Sequence, residues 1–196
     1  DKGVGAALFM ALFRSFIRVL SGTAHSEGHL ALNNPTTDPA RILHKTILSI
    51  NNYISITHEQ AGMFATIFYG ILDPANGILT YINGGHEPPI IIGADGFKSS
   101  LDPTGPAVGL YPDLEFKTRT VNLEPEDLLL VYTDGVIDAR NKADDAFGKK
   151  RLRDLIGDPL PSVEDLIKKI KIRLNDHIQG EKQFDDITIM ALRRME

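Results

Sequence analysis

The sequence predicts an α+β fold in which helices cover an antiparallel sheet system, and three observations predict it. Helical stretches open the chain, short β-rich runs punctuated by turn residues fill its middle, and two further helical stretches precede a last strand-like run. That order lacks the regular βαβα alternation of a parallel sheet. All 196 residues are expected to form a single domain, since the chain is long enough to bury one core and no stretch reads as a boundary.

The first helix is expected from about Gly3 to Leu20, rich in Ala and Leu and apolar almost all round, which implies burial on several sides. Arg14 and Arg18 interrupt it, and it falls short of the ~20 apolar residues of a membrane span. It also lacks the layout of a signal peptide. A long polar loop follows, holding His25 and His29, whose spacing across Gly28 does not make a rigid metal-binding pair. Asp38-Pro39 then supplies an N-cap and first-turn residue for a second helix, with Leu43, Ile47, Ile50 and Ile54 on one face.

From Met63 the texture turns to "MFATIFYGIL", "ILTYING", "PPIIIG" and "FKSS", separated by "DPANG" and "ADG"; an antiparallel meander is expected. Phe64, Phe68 and Tyr69 are expected to pack in its strands. Strands are also expected at "EFKTRTVNL" and "DLLLVYT", with "EPE" turning the chain between them. The last helix begins at a Ser162-x-x-Asp165 capping box and carries Val163, Leu166, Ile167, Ile170, Leu174 and Ile178 on one stripe, and "DITIMALR" is the final strand.

Composition excludes several classes of function. A net charge of −5, from 21 basic and 26 acidic residues, argues against a general nucleic-acid binder, and the one dense basic run, Lys149 to Asp154, reads as a solvated helix face. Cysteine is absent, so neither disulfides nor thiolate metal sites can form, and a reducing, cytoplasmic setting fits.

The chemistry is expected at two acidic sites: Asp134, closing the strand in "LLLVYTDGVIDAR", and Asp185-Asp186, opening the strand in "FDDITIMALR". Antiparallel pairing of those strands would bring the acids to one sheet end. Carboxylates gathered there without Lys or Arg repel one another, and a divalent cation removes the penalty. Oxygen donors without Cys or neighbouring His suit Mg2+ or Mn2+ better than zinc, and the small Gly135 would let backbone and water approach the ion. Taken alone, each motif is a common turn or strand boundary; their expected convergence puts metal binding ahead. Phosphotransferases that use D-x-D-G are excluded, because Tyr132 stands where their nucleophilic Asp would be.

In order along the chain, "DKGVGAALFMALFR", "MFATIFYGILDPANGILTYINGGHEPPI", "PTGPAVGL", "LLLVYTDGVIDARN" and "FDDITIMALR" resemble blocks of the SpoIIE-like branch of the PPM family of metal-dependent protein serine/threonine phosphatases. The resemblance implies a two-layer antiparallel β-sandwich flanked by helices, with two Mn2+ or Mg2+ ions at one end. It implies that Asp134 and Asp185 bind metal and carry catalysis, with Gly135 and Asp186 beside them, and that a metal-activated water hydrolyses phosphoserine or phosphothreonine without a phosphoenzyme. It further implies a phosphorylated STAS-type anti-sigma-factor antagonist as substrate, and a sensor or receiver domain upstream. Family members carry another metal-binding Asp three residues before the position of Asp1. The chain is therefore expected to lack a ligand and N-terminal strands, to bind metal weakly and to hydrolyse little, while a longer parent is active. A binding module of the same fold that grips a phosphoprotein without hydrolysing it is the alternative. Self-association through the apolar first helix is also expected.

His86, in "NGGHEPP", is expected to fix a Gly-rich turn, with substrate or metal contact as its second reading. Asp138 is expected to cap the next helix rather than orient the acidic motif. No Arg inside the acidic motifs is placed to hold a substrate phosphate.

Overall fold

The computed structural model describes residues 4–21, 38–58, 62–157, 162–183 and 185–195. His25 and His29 lie outside them. Among the described residues there are four α-helices and two antiparallel sheets, and no helix is long and apolar enough to cross a membrane. The chain divides into two compact units: residues 1–73, 78–86 and 103–121 form the first, and residues 74–77, 87–102 and 122–196 the second.

The first unit holds helices α1 (Val4–Leu20) and α2 (Pro39–Thr57) and a sheet ordered β1-β2-β5, from strands β1 (Ile67–Leu72), β2 (Ile78–Gly84) and β5 (Arg119–Asn122). Asp38 caps α2 as expected, its carboxylate accepting from the Ala40 amide at 3.0 Å, with Pro39 in the first turn. The predicted stripe Leu43, Ile47, Ile50 and Ile54 is buried against Phe9 and Phe13 of α1, Ile82 of β2, and Val108 and Phe116. By contrast, from Phe9 onward α1 buries one face only: Met10, Val19 and Leu20 are exposed. Uniform apolarity in a helix leaves open how much of it finds a partner.

The second unit carries a sheet ordered β4-β3-β6-β7, from β3 (Ile90–Gly93), β4 (Gly96–Ser100), β6 (Leu128–Tyr132) and β7 (Ile189–Arg193). Being central, β6 is buried on both faces, which explains its unbroken apolar run. Leu128, Leu130 and Tyr132 point from one face into a core shared with helices α3 (Gly148–Leu155) and α4 (Val163–Ile178). Ser162 caps α4, accepting from the Asp165 amide at 3.0 Å. A half-buried ion pair closes the far end of this sheet: Lys98 Nζ lies 2.8 Å from Asp127, whose side chain is 5% exposed and also accepts from the Glu124 amide at 2.9 Å.

The expected meander is instead two hairpins, β1-β2 and β3-β4, in different sheets. Likewise the "EPE" segment, with Glu126 at φ 70°, does not close a hairpin but carries the chain from β5 in one sheet to β6 in the other. Turn residues announce a reversal; they do not specify which strand the chain pairs with afterwards. Strand β5 is shorter than expected, and Phe64 lies outside any named strand and is exposed.

Candidate metal centre

Strands β6 and β7 are antiparallel neighbours, and their last pair, Tyr132 with Ile189, places Thr133-Asp134-Gly135 beside Asp185 to Thr188. The expected convergence of the two acidic segments is thus present in the backbone. Beyond the ladder the contact continues through Thr133. Its amide donates to the Thr188 carbonyl at 3.1 Å, its hydroxyl accepts from the Thr188 amide at 2.9 Å, and the same hydroxyl donates to the Asp186 carbonyl at 3.1 Å. This side-chain link takes over from the ladder, so β7 starts at Ile189 rather than at Asp186.

Gly135 is buried, and a Cβ placed on it would lie 2.3 Å from the Asp186 carbonyl oxygen. The space that glycine leaves empty is therefore taken by the backbone of the partner motif. Residues Asp134–Val136 form a short 3-10 turn in which the Asp134 carbonyl accepts from the Ile137 and Asp138 amides, each at 2.9 Å. Asp138 belongs to this turn and caps no helix; α3 begins only at Gly148, behind Phe147.

Of the acids, Asp134 and Asp186 are exposed and Asp185 is half-buried. One Asp134 oxygen accepts from the Gly135 amide at 2.9 Å, and one Asp185 oxygen accepts from the Asp186 amide at 2.7 Å. The Asp185 carbonyl accepts from the Gln183 side chain at 2.7 Å. None of the three forms an ion pair among the described residues. Oxygen-only donors without a basic partner fit a hard divalent cation. The set is small, however: among the described residues no group of three or more His, Asp or Glu is gathered closely enough to hold an ion.

His86 belongs to the first unit. Its amide donates to Asn83 Oδ1 at 2.9 Å, and Asn83 is wholly buried, so the side chain seen to hold this Gly-rich turn is that of Asn83. Sequence reasoning also passed over Thr133 and Thr188; their presence in both motifs, "TDG" and "DDIT", was the available signal.

The fold and the paired acidic segments define the class. The SiaA PP2C domain of Pseudomonas aeruginosa superposes with a TM-score of 0.71 at 21% identity, covering 97% of this chain and 70% of that one. The phosphatase domain of SpoIIE from Bacillus subtilis, presoaked with Mn, superposes with a TM-score of 0.56 at 14% identity, covering 93% and 73%. At these identities the likeness establishes a PP2C-type α+β fold. The family model "Stage II sporulation protein E (SpoIIE)" matches residues 1–195, and the chain belongs to that family. Protein IcfG of Synechocystis is 39% identical over 99% of this chain and 32% of its own length. Phosphoserine phosphatase RsbU of Bacillus subtilis is 26% identical over 98% of this chain and 52% of its own. The chain thus spans 32% to 52% of the length of these curated relatives.

Proposed function

We propose that this chain is a metal-dependent protein phosphatase domain that removes phosphate from phosphoserine or phosphothreonine on a regulatory protein. The observation that carries the reading is the locking of the Asp134 and Asp185 segments at one sheet end by Thr133 and by the Asp186 backbone over Gly135. Membership of the SpoIIE family and similarity to a phosphoserine phosphatase support it.

In this reading Asp134 and Asp185 hold Mn2+ or Mg2+, with the Gly135 backbone and Asp186 as further oxygen donors. Bound there, the ions would lower the pKa of a water so that hydroxide is available at neutral pH, and would offset charge on the phosphoryl oxygens. The residues supply placement: Thr133 fixes the distance between the two backbones, and the 3-10 turn presents Asp134 to solvent. Tyr132, buried beneath, keeps its proton because burial, and then Glu87, push its pKa up to about 12. It takes no part as a nucleophile. The substrate proposed from the family is a phosphorylated STAS-type anti-sigma-factor antagonist.

Manganese-dependent hydrolysis of p-nitrophenyl phosphate tests the reading, with Asp134→Asn as control. Hydrolysis that needs both the metal and Asp134 supports it; turnover untouched by chelation or by the substitution would overturn it. A second reading, a binding module that engages a phosphoprotein without hydrolysis, is favoured because among the described residues no group of three or more acids or histidines is gathered to hold an ion.

A further inference from the structure

Helix α3, "GKKRLRDL", carries four bases and one acid in a chain whose net charge is −5. Three of the bases are engaged within the chain. Lys149 lies 2.8 Å from Glu87, Lys150 lies 2.8 Å from Asp154, and Arg151 donates to the Ala146 and Phe147 carbonyls at 2.8 and 2.9 Å. Arg153 is different. Its guanidinium has no hydrogen-bond or ion-pair partner among the described residues, and its carbon sits 4.4 Å from the centroid of the Phe97 ring. A guanidinium laid on an aromatic face keeps its N–H fork turned outward and loses little freedom on taking an oxyanion.

That fork borders a cavity of about 190 Å3 within the second unit, lined by Ile90, Ser100, Asp102, Tyr132, Lys149 and Arg153 among others. Tyr132 ends β6 two positions before Asp134, so the cavity reaches the same strand end as the acidic pair. The Ser100 hydroxyl donates to Asp102 at 3.1 Å and holds a carboxylate on the wall. Asp102 repels any anion there, a polyanion more strongly than a single carboxylate, whose repulsion Arg153 offsets.

We propose that Arg153 and this cavity form a docking subsite for one acidic side chain of the phosphoprotein partner, a proposal that rests on the phosphatase reading for the identity of that partner. The basic face of α3 draws an acidic segment towards the strand end where the phosphoserine is presented, and Arg153 seats one carboxylate.

The test uses two fluorescently labelled phosphoserine peptides, one with a Glu near the phosphoserine and one with Gln in its place, followed by anisotropy at low salt. The Glu peptide is expected to bind about fivefold more tightly to the unsubstituted chain. Arg153→Glu should bring that ratio to one. Lys150→Glu, with the same charge change on the same helix but outside the cavity, should leave it intact. Hydrolysis of p-nitrophenyl phosphate should be equal in Lys150→Glu and the unsubstituted chain. Preference for the Glu peptide surviving in Arg153→Glu, equal loss in Lys150→Glu, or no preference at the outset overturns the proposal. Preference behaving as expected while no substrate is hydrolysed leaves the subsite standing and removes the phosphatase reading instead.

Discussion

The Thr133 hydroxyl donates to the Asp186 carbonyl at 3.1 Å while accepting from the Thr188 amide at 2.9 Å, so one side chain ties the end of β6 to the approach to β7. Valine matches threonine in shape but can make neither bond. Thr133→Val is expected to cost about 1–2 kcal/mol, read as a lower midpoint in urea, and to weaken manganese binding measured by calorimetry. Thr133→Ser keeps the hydroxyl and should restore most of both. A valine variant with unchanged metal affinity would show that Thr133 does not set the spacing of the acids.

Gly135→Ala should act more severely. The added methyl would meet the Asp186 carbonyl oxygen at 2.3 Å, and neither backbone can yield without parting the two motifs. The expected loss is about 1–3 kcal/mol, together with the thermal stabilisation that Mn2+ confers. Wild-type melting with and without the ion would contradict the close approach.

Asp134→Asn and Asp185→Asn each remove a charged oxygen donor that forms no ion pair among the described residues. Each is expected to lower manganese-dependent hydrolysis at least about 100-fold while changing the urea midpoint little, because Asp134 is exposed and Asp185 only half-buried. A large fall in stability with activity retained would assign these acids a structural role.

At the opposite end of the sheet, Asp127 is buried between Lys98 and the Glu124 amide. Asp127→Ala leaves the Glu124 amide without its acceptor while Lys98 keeps Glu124, and a loss of about 1–3 kcal/mol is expected in denaturant titration. The proposed metal site is not involved, so residual folded protein should bind manganese as the unsubstituted chain does.

Alkaline pH should expose Tyr132 and Lys98. The Tyr132 pKa is raised from 10.0 to about 12, first by burial and then by Glu87. Below pH 10 both folded and unfolded states keep the phenolic proton; above it the unfolded chain ionises first, so stability falls between pH 10 and about 12. Lys98 is raised from 10.5, first by Asp127 and then by Glu124, and its contribution is likewise lost as pH climbs through the raised value. Tyr132→Phe should flatten part of this loss in melting curves taken from pH 9 to 12. An identical alkaline profile in the variant would show that Tyr132 is not the group responsible.

The sequence by itself determined what depends on neighbouring residues: the caps at Asp38 and Ser162, the Leu43 to Ile54 stripe, the buried run of β6, and the acids placed where strands end. These signals are local because a turn of helix or a strand end is built from residues a few positions apart. Tertiary structure alone decided that the expected meander would divide between two sheets, that α1 would bury one face, and that Phe64 would be left exposed. It alone revealed Thr133 bridging to Asp186, and Arg153 over Phe97 with no hydrogen-bond or ion-pair partner among the described residues. Those outcomes depend on residues distant in the chain, whose pairing the alternation of apolar and polar positions does not encode.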